Sequence, residues 1–532
     1  MHFNLADIFE SLVDAVPDNV ALVSAPHRLT YRELDQRSNQ VAHALASRGV
    51  GAGDHVGLFL YNGAEFIEAM IGCFKLRAVP ININYRYVED ELAYLLDNAD
   101  IVALLYQREL EPRVLNVLDK TPTVKHLVVV EDDSPATPSR ATPWAELVAG
   151  QPTTRGFGPR SPDDLYVIYT GGTTGMPRGV MWRHEDVFFA GLQGGNPGGP
   201  ALTRAEEVAE LAPGRDLPMV ILPAAPFIHG AAQWAAWIAI MTGGKVVLSP
   251  GKSFDPVNAV QLVEAEEVQV LNLVGDAMAR PLAAAIRDAA RPLPSLMVVS
   301  SAGAILSASV KAEIAELCPD AMVLNSFGAS ETGHQGTIYP GMDAPGKLTF
   351  YMDESNTVLG DDGQPVAPGS GVIGKLARSG HIPVGYYKDP VKTAATFLEV
   401  DGRRWVVPGD LATIEEDGRI SVFGRGAVCI NSGGEKVFPE EVEEALKAHP
   451  EIVDAVVVGV PDERWGQRVA AVVQCKPGVA LSLADVDAHC RTKVAGYKVP
   501  REVHLVREVS RHPSGKPDYR WAKDVATGQQ RA

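Results

Sequence analysis

The stretch at residues 165–180, LYVIYTGGTTGMPRGV, constrains this chain more than any other. Residues 165–169 form an apolar, strand-like run, and the next six residues are only Gly and Thr, which cannot pack a core. Gly171, Gly172 and Gly175 let the backbone turn sharply and approach a ligand, while Thr170, Thr173 and Thr174 add hydroxyls to the free amide N–H groups. Arg178 follows with a fixed positive charge. Composition alone leaves two readings open, a flexible connection or a cradle for phosphate groups. No Gly-Lys-Ser/Thr closes the loop, so it is not a Walker A motif, and its meaning depends on partners elsewhere in the chain.

At 532 residues the chain exceeds one hydrophobic core and should divide into at least two domains. Strand-like runs at residues 56–60, 101–106 and 127–130 alternate with helical patterns at 66–76 and 89–96. After the loop, strands are expected at 219–222, 245–248, 296–300 and 322–324, separated by long helical stretches. This alternation predicts βαβ units and a largely parallel sheet. Thr30 and Glu33 form a capping box ahead of a helix that Gly49 ends. Residues 191–200, GLQGGNPGGP, lack apolar periodicity and read as a surface excursion, with a mobile flap as the alternative. From residue 360 to 374 the spacing of Gly, Pro and Asp suggests short turns between strands. The last hundred residues read as a small α+β unit: a helix from Pro439, strands at 455–460 and 469–475, a helix from Leu483, and a tail. Glu440 and Glu441 lie near the positive end of the first of these helices. With a boundary near residues 424–426, the expected domains are 1–425 and 426–532.

Several function classes can be set aside. A net charge of -18 opposes nonspecific nucleic-acid binding. The five cysteines are scattered and lack metal-ligand spacing, which fits reduced thiols in a cytoplasm. Leu5, Ile8, Phe9, Leu12, Val13 and Val16 recur at helical spacing, giving an amphipathic helix instead of a signal peptide. The most apolar segment, residues 234–241, is far short of the roughly 20 residues needed to span a bilayer.

Four further segments could complete a nucleotide site. Ser301, Ala302, Gly303 and Ala304 follow an apolar run and offer small residues against which a flat base could lie. The run NSFGASETG at 325–333 supplies Phe327 to stack on a base, Gly328, the Ser330 hydroxyl for phosphate and the Glu331 carboxylate for Mg²⁺. Asp410, next to a Gly in VVPGDLA, suits a bidentate contact to two ribose hydroxyls or, equally, a turn cap. Lys516 stands on a Ser-Gly turn in the tail.

In this order, across essentially the whole chain, these motifs resemble the AMP-forming acyl-CoA synthetases of the adenylate-forming superfamily, which includes luciferases and peptide-synthetase adenylation domains. The segments MWRHED, GDAMARPL and SGKPDYRWAK look most like actinobacterial ligases for fatty or steroid side-chain acids. The resemblance implies an α/β fold: a large N-terminal domain of two βαβ subdomains plus a β-barrel-like subdomain, and a small mobile α+β C-terminal domain. It implies that Thr170 to Gly175 and Arg178 hold the ATP phosphates and that residues 301–304, Phe327 and Gly328 surround adenine. Ser330 would touch phosphate, Glu331 would bind Mg²⁺, and Asp410 and Arg425 would bind ribose. Lys516, Glu331 and Thr170 would carry catalysis. The substrates would be ATP, a small-molecule carboxylic acid and coenzyme A, with no nucleic acid and no membrane span; a homodimer is compatible with it.

A carboxylate is already ionised at pH 7, so attack on the α-phosphorus needs charge neutralisation and alignment, not a base. The thiol of coenzyme A then attacks the acyl-adenylate. The resemblance implies that the small domain rotates between these steps, withdrawing Lys516 and bringing in the loop of Ser432, Gly433, Gly434 and Glu435. His229, with Trp234, Trp237 and Gly303, is expected to line the acyl pocket. No Asp lies in residues 224–237 to pair with an amine, which favours an uncharged acyl group. Two positions depart from the family pattern: Arg178 stands where Lys is more common, and Ala427 occupies the hinge position. The rivals are an acyl-AMP ligase that loads a carrier protein and a catalytically silent nucleotide-binding protein on the same fold.

Overall fold

The computed structural model describes residues 1–135, 140–170, 176–215, 218–304, 306–339, 348–432, 435–462, 465–494, 496–512 and 515–529. Among them the strands form three sheets, of eight, fifteen and five strands. The expected phosphate-loop glycines and threonines at 171–175, and Gly433 and Gly434, lie outside the described residues.

The first sheet is built as the alternation predicts. Strands Val79–Asn82, His55–Phe59, Ile101–Gln107 and His126–Val130 run parallel, and Leu165–Thr170 joins them through Val79–Asn82. Strand Arg178–Arg183 then turns back antiparallel on Leu165–Thr170, with Arg178 opposite Thr170. The strands on either side of the Gly/Thr stretch are therefore antiparallel neighbours. A buried charge network ties this layer to the N-terminal helix Leu5–Ala15. The fully buried Lys75 ammonium lies 2.6 Å from both Glu10 and Asp35, and Arg160 bridges Asp7 and Glu10. Arg155 also reaches Asp35 at 3.1 Å, so Lys75, Asp35 and Glu10 each keep a second partner if one is removed.

The second sheet has a parallel half, Val20–Ser24, Lys245–Leu248, Val220–Pro223, Val270–Leu273, Val298–Ala302 and Met322–Ala329. The helix Gly230–Met241 is apolar on every side and buries Trp237 and Ala236 in the main core, as an all-round apolar helix must. From Gly333 onward the same sheet continues antiparallel through Gly333–Ile338, Leu348–Met352, Ile420–Arg425 and Asp410–Ile414, so the β structure expected around residues 360–374 begins earlier in the chain. The third sheet takes all its strands from residues 430–506.

Several expectations need correction. The strand expected at 296–300 runs from Val298 to Ala302, and the one expected at 322–324 continues to Ala329 because it pairs with Gly333–Ile338. Residues 191–200 are a surface excursion only at their far end. Gly194 and Gly195 are buried, and a Cβ on Gly195 would lie 2.6 Å from the Phe188 ring, so half the segment packs into the core. The tail holds a further strand, Glu502–Val506, parallel to Gly466–Cys475, and a helix, Tyr519–Ala526. Glu440 stands in the first turn of its helix, as expected. Its carboxyl lies against Gly424, where a Cβ would fall 2.4 Å away, and burial, then the charges of Glu443 and Asp410, push it up to about 8.

Candidate active site

In open α/β sheets ligands bind beyond the carboxyl ends of the strands, and the candidate residues gather at such ends. Thr170 closes its strand and leads into the Gly/Thr loop. Beyond the loop, Gly179 accommodates the ring of Tyr169, since a Cβ there would lie 2.5 Å from it. Arg178 opens the strand that follows the loop. Its Nε donates to Asp389 Oδ2 at 2.9 Å, so its charge is engaged beside the loop. The Lys392 backbone N–H, which outweighs Arg178, holds the Asp389 carboxyl below the usual range.

Strand Val298–Ala302 delivers residues 301–304. The buried Ser301 hydroxyl accepts from the Gly275 N–H at 2.7 Å and donates to the Ala304 carbonyl at 2.6 Å, so it shapes the turn. Gly303 has φ +82°, and nothing lies within 4 Å of a Cβ built there. That open shelf suits a flat base against backbone. Phe327 packs on Phe350 with ring centres 5.0 Å apart, and at Gly328 a Cβ would meet the Gly333 carbonyl at 2.2 Å. The turn that follows carries Ser330 and Glu331. Its backbone is held by Trp182, whose Nε1 donates to the Ser330 carbonyl at 2.8 Å, and Glu331 Oε1 accepts from the Tyr386 hydroxyl at 3.0 Å.

Asp410 and Arg425 are backbone register partners on paired strands. Lys516 is exposed on a turn closed by the Arg511–Pro517 bridge, and Arg511 is fixed by two 2.6 Å contacts to Asp454. Gly515 brings this turn against Val274, next to the Gly275 that Ser301 holds. The Lys516 turn and the 301–304 shelf thus meet at one strand–helix joint. Glu444 of helix Pro439–Lys447 also accepts the first N–H of helix Ala308–Leu317, at Ala308, at 3.1 Å. Ser432 belongs to the hairpin Ile430–Ser432/Glu435–Val437 of the third sheet.

His229 caps the helix Gly230–Met241, and Trp234 meets Trp182 edge-on at 6.3 Å, so the expected acyl-pocket residues adjoin the strand that follows the loop. Three buried amides here escaped the sequence reading. Asn82 accepts the Tyr169 N–H at 2.8 Å and donates to the Tyr169 and Ile228 carbonyls at 2.9 and 2.6 Å. Asn62 accepts from the Phe227 N–H at 2.8 Å and donates to Ala225 at 3.1 Å. Gln233 donates to the Phe227 carbonyl and accepts from the Tyr166 hydroxyl, both at 2.5 Å. Together they tie the segment before His229 to the strands beside the phosphate loop.

Among the described residues no group of three or more His, Cys, Asp or Glu is placed to hold a metal ion. A Mg²⁺ ion held by one carboxylate, phosphate oxygens and water is compatible with this arrangement, in which Glu331 follows the strand end at Ala329 and has one oxygen bonded by Tyr386.

The profile of the AMP-binding enzyme family matches residues 9–387, and that of the AMP-binding enzyme C-terminal domain matches residues 441–516. The chain belongs to the AMP-binding enzyme family. It is 48% identical over 540 residues to the medium/long-chain-fatty-acid–CoA/3-oxocholest-4-en-26-oate–CoA ligase of Mycolicibacterium smegmatis, covering 99% of this chain and 97% of that one. It is 46% identical over 535 residues to the 3-oxocholest-4-en-26-oate–CoA ligase of Rhodococcus rhodochrous, covering 98% and 96%. The fold is similar to that of the anthranilate CoA ligase AuaEII in complex with anthranoyl-AMP, with a TM-score of 0.85 at 24% identity over 99% of this chain and 97% of that chain. ATP-bound MatB from Rhodopseudomonas palustris superposes with a TM-score of 0.82 at 23% identity, covering 99% of each. Among the described residues no helix is long and apolar enough to cross a membrane.

Proposed function

We propose that the protein is an ATP- and Mg²⁺-dependent acid:CoA ligase that activates hydrophobic carboxylic acids of the fatty or steroid side-chain type, releasing AMP and pyrophosphate. The observation that supports this reading is the approach of the Gly515 turn, which carries Lys516, to Val274, the residue before the Gly275 that Ser301 holds. The named activities of relatives 46% and 48% identical over nearly the whole chain support the substrate class.

In this reading the shelf at 302–304 and Phe327 receive adenine, Asp410 and Arg425 the ribose, and the Gly/Thr loop the phosphates. Mg²⁺, held by Glu331, offsets phosphate charge. The substrate carboxylate needs no base; Lys516 stabilises charge that develops at the α-phosphate, a contribution of about 3–4 kcal/mol for comparable fixed donors. His229, Trp234 and Trp237 bound the acyl group. Division at residues 425–426 into a large domain and a small one that rotates belongs to the same proposal. Rotation would withdraw Lys516 and present the loop at 432–437 to the pantetheine. Five free cysteines support a cytoplasmic setting.

The test uses purified enzyme with ATP and CoA across short, medium, long, aromatic and steroid side-chain acids. Acyl-CoA, AMP and pyrophosphate should form together, best with long-chain or steroid acids. Pyrophosphate release without acyl-CoA would point to a carrier-protein acceptor, and no release with any acid would overturn the enzymatic reading.

A further inference from the structure

Glu331 ends in a carboxylate whose last torsion is intrinsically loose, because a terminal sp³–sp² bond has broad, roughly two-fold preferences. A metal ligand needs that plane set before the ion arrives, and outer hydrogen-bond partners are the usual means. Tyr386 is such a partner. Its hydroxyl donates to Glu331 Oε1 at 3.0 Å, and the residue is 6% exposed, so water competes little for the bond.

The tyrosine is itself held at both ends. Its N–H donates to Thr393 Oγ1 at 2.9 Å, and its ring packs edge-on against Phe397 with centres 5.9 Å apart. The short strand Gly385–Tyr386 lies antiparallel to Arg178–Arg183, with Tyr386 opposite Val180. The neighbouring Val384 and Tyr387 N–H groups donate to the Met181 and Gly179 carbonyls, both at 2.8 Å. Three residues further on, Asp389 grips Arg178. One segment of chain therefore references both the metal carboxylate and the strand that leaves the phosphate loop.

We infer that Tyr386 is a positioning residue for adenylation: its hydroxyl fixes the Glu331 carboxylate with one oxygen presented to the divalent cation that accompanies ATP. The inference rests on the proposed role of Glu331. It assigns Tyr386 no contact with substrate, and so no part in thioester formation.

The experiment compares wild type, Tyr386→Phe and Glu331→Gln in the full chain. Mn²⁺ binding in the presence of ATP is followed by electron paramagnetic resonance. The Mg²⁺ concentration for half-maximal ATP–pyrophosphate exchange and thioester formation from supplied acyl-adenylate are measured alongside. Loss of an outer-shell hydrogen bond typically weakens metal affinity 10- to 100-fold. Tyr386→Phe should therefore raise both metal constants by about that factor, recover near-wild-type exchange at saturating Mg²⁺, and leave thioester formation unchanged. Unchanged metal constants in Tyr386→Phe with shifted ones in Glu331→Gln would overturn the inference and leave the metal role of Glu331 standing. Unchanged constants in both would overturn both. An equal loss in the two half-reactions of Tyr386→Phe, with metal binding intact, would reduce the tyrosine to a packing role and likewise overturn the inference.

Discussion

Gly515→Ala should impair adenylate formation selectively. Gly515 has φ +73°, and a Cβ built there lies 2.5 Å from Val274 Cγ1. Val274 is 7% exposed and β-branched, so it is stiff about χ1 and cannot swing aside. Two costs follow, and they separate. The positive φ, worth about 1–2 kcal/mol, belongs to the turn and is present wherever the C-terminal unit sits. The overlap with Val274, worth about 1–3 kcal/mol by analogy with overpacked cores, exists only while the turn is docked on this joint. At about 1.4 kcal/mol per factor of ten, the docking term should slow adenylation roughly 5- to 150-fold. ATP–pyrophosphate exchange measures that step, and thioester formation from supplied acyl-adenylate, measured in parallel, should change little. Val274→Ala deletes the clashing methyl, so the double variant should regain most of the exchange activity. Equal loss in both half-reactions, or a double variant no faster than Gly515→Ala alone, would refute the reasoning.

Other outcomes can be checked with the same preparations. Lys516→Ala should lower pyrophosphate exchange by about 10²–10³-fold while sparing thioester formation from supplied acyl-adenylate; loss in both steps would contradict its role. His229→Ala should reorder acids by kcat/KM, since a methylene in an apolar pocket is worth roughly 1–3 kcal/mol, and should leave the KM for ATP nearly unchanged; an intact ranking with weaker ATP binding would move His229 to the nucleotide site. Glu440 has one carboxyl oxygen buried without a hydrogen-bond partner among the described residues, and its pKa is raised from 4.5 to about 8 by burial, then by Glu443 and Asp410. The folded chain then binds more protons than the unfolded chain between those values, so stability falls as pH rises from about 4.5 to 8, by about 1.4 kcal/mol per pH unit at most. Glu440→Gln should flatten that slope in thermal melts across pH 5 to 8, and parallel wild-type and variant profiles would exclude Glu440 as its source.

The elements that could be read from the chain are those whose cause is local. The capping box at Thr30 and Glu33 forms within one helical turn, and Asn4 caps the first helix in the same local way. The parallel alternation follows from apolar runs separated by helical periods, and the Gly/Thr loop is recognisable because no core can be packed from those side chains. The chemistry-bearing types, Glu331, Asp410 and Lys516, are visible as types for the same reason: each stands next to Gly or Ser in a segment without helical apolar periodicity. What they touch was decided by the tertiary structure. Arg178 carries its charge in any fold, yet its pairing with Asp389 spans 211 residues and depends on two strands lying side by side. Tyr386 in GYYKD looks like one more packed aromatic until its hydroxyl is found on Glu331. Asn62, Asn82 and Gln233 sit singly among apolar residues, and only burial beside unpaired backbone groups gives them a task. The same holds for Glu440, a favourable first-turn acid by sequence whose carboxyl is pushed up to about 8 by position, because desolvation depends on what the rest of the chain places around it.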